Sequence, residues 1–228
     1  YSKMRPCFPS NYALVQSLPT TEPVKRIMSK VDREIFCLHK EGCYCDRPMP
    51  LLLKQTISAP HMHARAIEYL YKNLKPGSTV LDVGSGSGYL TACFGHLVTV
   101  FSPNINYRGK VVGLEIHKPL VDYSIKRSMD HLPKLFKYKS RYKIIHGSGW
   151  DGYPKKSKKE IYDAIHVGAS VDSIPIYLLH QLKKEGILVI PLRLGKQEGH
   201  TFCIITKDKD KNIHIEPKEA VRYVPLIK

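Results

Sequence analysis

The feature that most constrains the fold is a glycine-rich segment between an apolar run and a helical pattern. Thr79–Val83 is short and apolar, as is typical of a buried strand, and glycines 84, 86 and 88 follow it directly. A helix-period pattern then begins at Tyr89. Because glycine tolerates left-handed backbone conformations, this spacing predicts a tight turn from a strand end into a helix N-terminus. Such turns are typical of ligand-binding α/β sheets.

Strand and helix patterns alternate along most of the chain, which predicts a doubly wound, mostly parallel α/β sheet. A hairpin pattern near the C-terminus, with strands at 200–207 and 212–216, predicts an antiparallel edge. The predicted parallel strands are 79–83, 110–115, 142–146, 162–167 and 187–191. The predicted helices of this region begin near Pro60, Tyr89, Pro119 and Ile174.

Residues 1–54 differ from the rest of the chain, because they are rich in proline and show no strand–helix alternation. Their one helical pattern follows Pro23 and places Val24, Ile27 and Met28 on one face. We expect an N-terminal helical cap at 1–54 that is too short to be an independent domain. The remaining residues, 55–228, then form one globular unit.

Composition excludes several classes of protein. The 228 residues are 43% hydrophobic and 25% charged, a balance typical of globular domains and unlike that of disordered chains. Apolar runs are shorter than the roughly 18 to 20 residues that a membrane-spanning helix needs. Since the first residues also lack a leader pattern, we expect a soluble, cytoplasmic protein without a membrane partner.

The net charge of +16 favours acidic partners through long-range attraction. Lysine is concentrated in two runs, 134–143 and 155–159, and the first interleaves cations with aromatic side chains. Aromatic and basic residues together can bind single-stranded nucleic acid. No nucleic-acid-binding motif accompanies the runs, so we interpret them as solvated basic faces and expect no nucleic-acid partner.

The cysteines and histidines do not predict a metal site. The six cysteines, at 7, 37, 43, 45, 93 and 203, are too sparse for a disulfide framework and lack the paired spacing of zinc ligands. We therefore expect free thiols. His61 and His63 are two residues apart on a predicted helix, where their side chains point in different directions.

The glycine segment carries a G-x-G-x-G pattern, which differs from the dinucleotide and P-loop fingerprints. Asp82 precedes the glycines, and Glu115 ends the next predicted strand, where an acidic residue can accept both hydroxyls of a ribose. Asp82, the three glycines and Glu115 together resemble the S-adenosylmethionine site of Rossmann-like methyltransferases.

The resemblance becomes specific in four segments that occur in order: 55–64 (QTISAPHMHA), 81–88 (LDVGSGSG), 162–169 (YDAIHVGA) and 223–226 (YVPL). With them, residues from about 14 to 226 resemble the protein-L-isoaspartate O-methyltransferase family. This resemblance implies a Rossmann-like methyltransferase fold. We also expect a monomer. The resemblance also implies methyl transfer from S-adenosylmethionine to the free carboxylate of isoaspartyl, and D-aspartyl, residues in damaged proteins. S-adenosylhomocysteine is the other product, and the reaction begins protein repair.

Two alternatives stay open at this point. One is a Rossmann-like methyltransferase that acts on another nucleophile, such as RNA. The other is a non-catalytic module that binds nucleic acid through its basic surface. An RNA enzyme would normally carry an added RNA-binding module or its own catalytic motif, and the sequence shows neither.

The resemblance also implies the site residues. Ser58 corresponds to the serine at the reaction centre, although the local pattern also allows it to cap the helix that begins at Pro60. His166 is interpreted as a core histidine, since it lies inside a predicted strand. The residues expected to contact the methyl donor are Thr56, Ile57, Ser58, His63, Asp82, Gly84, Ser85, Gly86, Ser87, Gly88, Glu115, Ile116, Ser148 and Gly149.

Three positions depart from the family pattern. Ser148 stands where an aspartate usually meets the adenine, Glu115 replaces a shorter aspartate, and Ile227 replaces a threonine. We expect a weaker or water-mediated adenine contact and a donor pocket that is less closed.

Overall fold

A computed structural model describes residues 6–100, 109–136, 140–195 and 198–228. Residues 101–108, which precede the predicted strand at 110–115, and the centre of the basic run at 134–143 therefore lie outside the described residues. The helices are α1 (Asn11–Ser17), α2 (Glu22–Met28), α3 (Pro60–Leu70), α4 (Tyr89–Gly95), α5 (Lys118–His131), α6 (Pro133–Phe136) and α7 (Ile176–Gln181). The strands are β1 (Met49–Pro50), β2 (Thr56–Ile57), β3 (Thr79–Val83), β4 (Lys110–Glu115), β5 (Tyr142–His146), β6 (Tyr162–Val167), β7 (Leu182–Leu192), β8 (His200–Lys207) and β9 (Ile213–Val221).

Seven strands form the main sheet in the order β5-β4-β3-β6-β7-β8-β9. The pairs from β5 to β7 are parallel, whereas β8 and β9 are antiparallel to their neighbours. This topology confirms the predicted doubly wound sheet with an antiparallel C-terminal edge. β7 begins five residues earlier than predicted, because Leu182 also pairs with Tyr162 across a register shift. β9 likewise continues to Val221, beyond the predicted end.

Side chains that alternate along the strands supply a core on each face of the sheet. On β3, Val80 belongs to a buried cluster that includes Leu70 of α3 and Phe94 of α4. Its neighbour Leu81 belongs to a second cluster with Leu178 of α7. Helices therefore cover both faces, and the carboxyl ends of β3, β4 and β6 lie side by side at one edge, where such sheets bind ligands.

The N-terminal residues share the first of these cores. Leu14 of α1 and Met28 of α2 are buried in the same cluster as Ile67 of α3, and β1 pairs with β2 across the boundary at residue 54. The buried Asn11 adds a polar tie, because its amide donates to the Met28 carbonyl. Residues on both sides of position 54 therefore share one core, and the division at this position stays a prediction. The sequence prediction missed α1, whose seven residues are too few to show a helical period.

The prediction of free thiols is wrong for two cysteines, since Cys7 and Cys45 form a disulfide. A backbone bridge between their segments brings them together across 38 residues, which spacing along the chain does not reveal. Cys37, Cys43, Cys93 and Cys203 are free and buried, and burial raises the pKa of the Cys43 thiol to about 12. Among the described residues, no three His, Cys, Asp or Glu side chains are grouped to hold a metal. No described helix is both long and apolar enough to span a membrane.

Gly88 shows why the turn before α4 requires glycine. Its φ is +86°, and a Cβ there would lie 2.9 Å from the Cβ of Ser124 on α5. We expect Gly88→Ala to lower the free energy of unfolding by about 2 to 5 kcal/mol, since backbone strain and overpacking add. Gly195 has a φ of +64° with no atom within 4 Å of the added Cβ, so Gly195→Ala loses only the strain, about 1 to 2 kcal/mol. Urea unfolding of both variants measures the difference, and equal losses would contradict the packing argument.

Candidate active site

Three connected cavities lie at the carboxyl ends of β3, β4 and β6, with volumes of about 40, 170 and 660 Å³. We name them the inner, donor-side and outer cavities. Thr56 and Gly168 line all three, and Ser58 lines both the inner and the outer cavity. The predicted site residues at the inner cavity are Thr56, Ile57, Ser58, His63, Asp82, Gly84, Ser85, Gly86 and Ser87. Glu115 and Ile116 line the donor-side cavity.

Glu115 is held at the donor-side cavity by the glycine turn. Its Oε2 accepts the Gly86 N–H at 2.9 Å, and its Oε1 accepts the His117 N–H at 3.0 Å. The side chain is 5% exposed. Each carboxylate oxygen has a further lone pair for a second donor, so the group remains able to accept hydroxyls of a ligand.

Asp82 is fixed by two protein donors. Thr91 donates its hydroxyl to one carboxylate oxygen at 2.5 Å, and the ring Nδ1 of His166 lies 2.8 Å from the other. A carboxylate only accepts, which assigns the proton of this imidazole to Nδ1. His166 is buried, as a core histidine would be, but it also lines the inner cavity. Asp82 and His166 are direct partners in the β3–β6 register, and 84 residues separate them in sequence.

Ser58 joins β2 to α3, and the structure excludes its alternative role as a helix cap. The N-cap residue of α3 is Ala59, and the side chain that caps the first turn is that of Asp46, which accepts the His61 N–H at 3.0 Å. The Ser58 carbonyl instead accepts a hydrogen bond from Arg33 at 2.8 Å. Burial raises the pKa of the neighbouring Tyr223 phenol, and a hydrogen bond with the Ser58 side chain partly offsets this shift. Ser58 and Tyr223 both line the outer cavity, and Ser58 also lines the inner one.

Arg33 was not among the predicted site residues, yet it supports this segment. Its guanidinium is 1% exposed and donates to the Cys43 and Ser58 carbonyls at 3.1 and 2.8 Å. Another of its nitrogens lies 3.4 Å from Nδ1 of His63. Because guanidinium only donates, this contact assigns the proton of His63 to Nε2. Burial is the main cause that holds the pKa of His63 well below its usual range, and the positive charge of Arg33 is the second cause. This imidazole is therefore neutral.

Comparison with known proteins identifies the family to which this chain belongs. The family model of protein-L-isoaspartate(D-aspartate) O-methyltransferase matches residues 13–228. The chain belongs to this family. It is 38% identical to protein-L-isoaspartate O-methyltransferase 1 of Arabidopsis thaliana, over 95% of this chain and 90% of the relative. The wheat (Triticum aestivum) protein-L-isoaspartate O-methyltransferase is 39% identical over the same shares.

Solved structures agree with this assignment. A protein-L-isoaspartate O-methyltransferase of Plasmodium falciparum, in complex with S-adenosyl-L-homocysteine, superimposes with a TM-score of 0.86 and 34% identity. The match covers 96% of this chain and 99% of that one. The chain is therefore a methyltransferase that acts on isoaspartyl residues of proteins, as the sequence resemblance predicted. This family assignment supports neither of the two alternatives considered above, a methyltransferase that acts on RNA and a non-catalytic module that binds nucleic acid.

Three of the predicted donor contacts do not line the cavities. Gly88 packs against Ser124, as described above. Ser148 accepts the Trp150 N–H in a turn, and the missing side chain of Gly149 leaves room for Val83 and Leu226. The three residues therefore have packing or turn-forming roles in the structure, and their contact with the methyl donor stays a prediction.

The Arg33 contacts predict a large effect from a conservative change. Lysine keeps the charge but lacks the planar fork that reaches two carbonyls, so Arg33→Lys leaves buried acceptors unpaired. We expect it to lower the free energy of unfolding by about 2 to 4 kcal/mol. Arg193→Lys is the matched control, because Arg193 pairs with Asp172 at an exposed position. Chemical denaturation should show a change within about 0.5 kcal/mol for this control. Similar losses in both variants would contradict the role of Arg33.

Glu115→Ala should weaken S-adenosylmethionine binding by about 1 to 3 kcal/mol, because a charge-assisted acceptor is lost. Titration calorimetry on the folded variant measures this effect. The control is Glu41→Ala, which removes the same charge from an exposed position outside the cavities. Unchanged affinity in Glu115→Ala would remove this residue from the donor site.

Proposed function

We propose that methyl transfer occurs where the inner and outer cavities meet, with Ser58 orienting the isoaspartyl carboxylate. The observation that carries this proposal is the position of Ser58 on the walls of both cavities. A substrate in the outer cavity and a donor along the glycine turn would then approach each other at its hydroxyl. D-aspartyl carboxylates are a second substrate in this proposal.

The residues of the inner and donor-side cavities fit S-adenosylmethionine. Ser85 carries a buried hydroxyl without a protein partner in the structure, and Glu115 retains acceptor capacity. In this proposal Glu115 holds the ribose, and the glycine turn at 84–87 approaches the donor closely. When bound, S-adenosylmethionine supplies a methyl group on a positively charged sulfur.

The chain's own task is positioning and exclusion of water. An isoaspartyl carboxylate is ionised at neutral pH, so the reaction needs neither a strong base nor a metal to create the nucleophile. Ser58 donates a hydrogen bond that fixes the attacking oxygen, and the buried Ile57 keeps water from the reacting atoms. His63 is neutral and keeps its Nε2–H as a donor toward the inner cavity. Asp82, held by Thr91 and His166, stiffens the base of the site.

We also propose that the enzyme works as a monomer in the cytoplasm without a nucleic-acid partner. The charge of +16 supports a monomer, because like-charged copies repel each other. Four buried thiols remain free, which supports a reducing compartment, whereas the Cys7–Cys45 disulfide is uncommon in one. Sedimentation at physiological salt tests whether the enzyme is a monomer.

The role of Ser58 predicts a defect in rate and not in folding. Ser58→Ala should lower turnover of an isoaspartyl peptide by one to two orders of magnitude, roughly the loss of one positioned hydrogen bond. Donor affinity and the melting temperature should change little. Turnover is counted with labelled S-adenosylmethionine and two peptides that differ only in an isoaspartyl or normal aspartyl linkage.

The matched control for this experiment is Ser10→Ala, because the Ser10 hydroxyl does cap a helix by accepting the Ala13 N–H at 3.2 Å. This control should lose about 1 kcal/mol of stability and keep its turnover. A Ser58→Ala variant with a lower melting temperature but normal turnover would contradict the proposed role. Equal transfer to both peptides would contradict the proposed substrate.

A further inference from the structure

The outer cavity extends well beyond the reacting group. Its volume of about 660 Å³ is in the range of pockets that enclose drug-sized ligands, whereas the reacting group is one carboxylate. Residues that flank the isoaspartyl residue must therefore share this space. The lining comes from three segments, 47–48, 58–65 and 219–224, with Thr56 and Gly168.

The charges on this lining do not balance. Arg65 is paired with Glu219 at 2.8 Å, and the Tyr69 hydroxyl donates to the same carboxylate. Arg47 and Arg222 are exposed, and no carboxylate of the described residues lies within ion-pair distance of either guanidinium. Glu219 is the acidic residue of the lining, and Arg65 already neutralises it. The outer cavity thus presents two uncompensated positive charges to its occupant.

These two arginines are separate from the parts that hold the reacting group. Arg47 precedes β1, and only its backbone carbonyl contacts Arg33. Arg222 directly follows β9 and precedes Tyr223, the neighbour of Ser58. Each guanidinium can form two parallel hydrogen bonds to a carboxylate, which lysine does not match. The arrangement suits carboxylates on residues near the isoaspartyl site.

We propose that Arg47 and Arg222 select isoaspartyl peptides whose neighbouring residues are acidic. This inference rests on the proposed function, because it places the peptide in the outer cavity beside Ser58. General attraction by the net charge of +16 would weaken equally whichever cation is removed. The selection proposed here instead depends on these two arginines. Acidic neighbours then lower KM and leave kcat unchanged, because the arginines do not touch the reacting atoms.

The test uses three isoaspartyl peptides that differ only in flanking aspartate, alanine or lysine residues. The native chain should show the highest kcat/KM for the acidic peptide and the lowest for the basic one. Arg47→Gln and Arg222→Gln should each raise KM for the acidic peptide roughly two- to fivefold, as expected for an exposed ion pair. KM for the neutral peptide should stay constant. The double variant Arg47→Glu/Arg222→Glu should favour the basic peptide.

Lys159→Gln is the matched control, because it removes the same charge from an exposed residue outside the cavity. It should leave the order of the three peptides and their KM values unchanged. Equal KM shifts in the control and the arginine variants, or equal kcat/KM for all three peptides, would overturn the inference alone. Transfer to none of the isoaspartyl peptides by the native chain would overturn the proposed function, and the inference with it.

Discussion

The backbone at Ser58 depends on one buried cation, the guanidinium of Arg33. It donates to carbonyls on two segments, those of Cys43 and Ser58, contacts His63, and lies 5.9 Å from the centre of the Tyr89 ring. Burial lowers the pKa of Arg33, because a desolvated charge is costly unless several polar groups surround it at once. The residues before position 54 therefore do more than cover apolar surface, since Arg33, which holds the Ser58 carbonyl, is one of them.

Much of the fold could be predicted because its signals are local. β3, β4, β5 and β6 have the predicted bounds, since each is an apolar run between turn residues. The predictions failed where pairing between distant segments decides the structure. Leu182 joins β7 by pairing with Tyr162, and the disulfide between Cys7 and Cys45 closes a loop of the cap. Neither partner carries a local pattern that identifies the other.

The site residues also divide into those that a local sequence pattern identifies and those that it does not. The glycine turn and Glu115 were predictable because a strand end and a following helix place them at one edge of a parallel sheet. A motif does not fix where each member points, and so Gly88, Ser148 and Gly149 support packing and turns. His166 and Tyr223 lie in the segments 162–169 and 223–226 that resemble the family, but their partners Asp82 and Ser58 are far away in sequence. Comparison of residues opposite each other on β3 and β6 is the signal that relates His166 to Asp82.

The chemistry explains why the cavities differ so much in size. Since the nucleophile is already ionised, rate depends on fixing one carboxylate, and the small inner cavity beside the half-buried Ser58 suits that task. Isoaspartyl residues form at asparagine and aspartate residues in many different sequences, and a wide outer cavity suits this variety. The exposed charges of its lining contribute to selection there, and their ion pairs are weak in water. Two unpaired arginines therefore bias the enzyme toward acidic sequences by small factors and leave other damaged sequences as substrates.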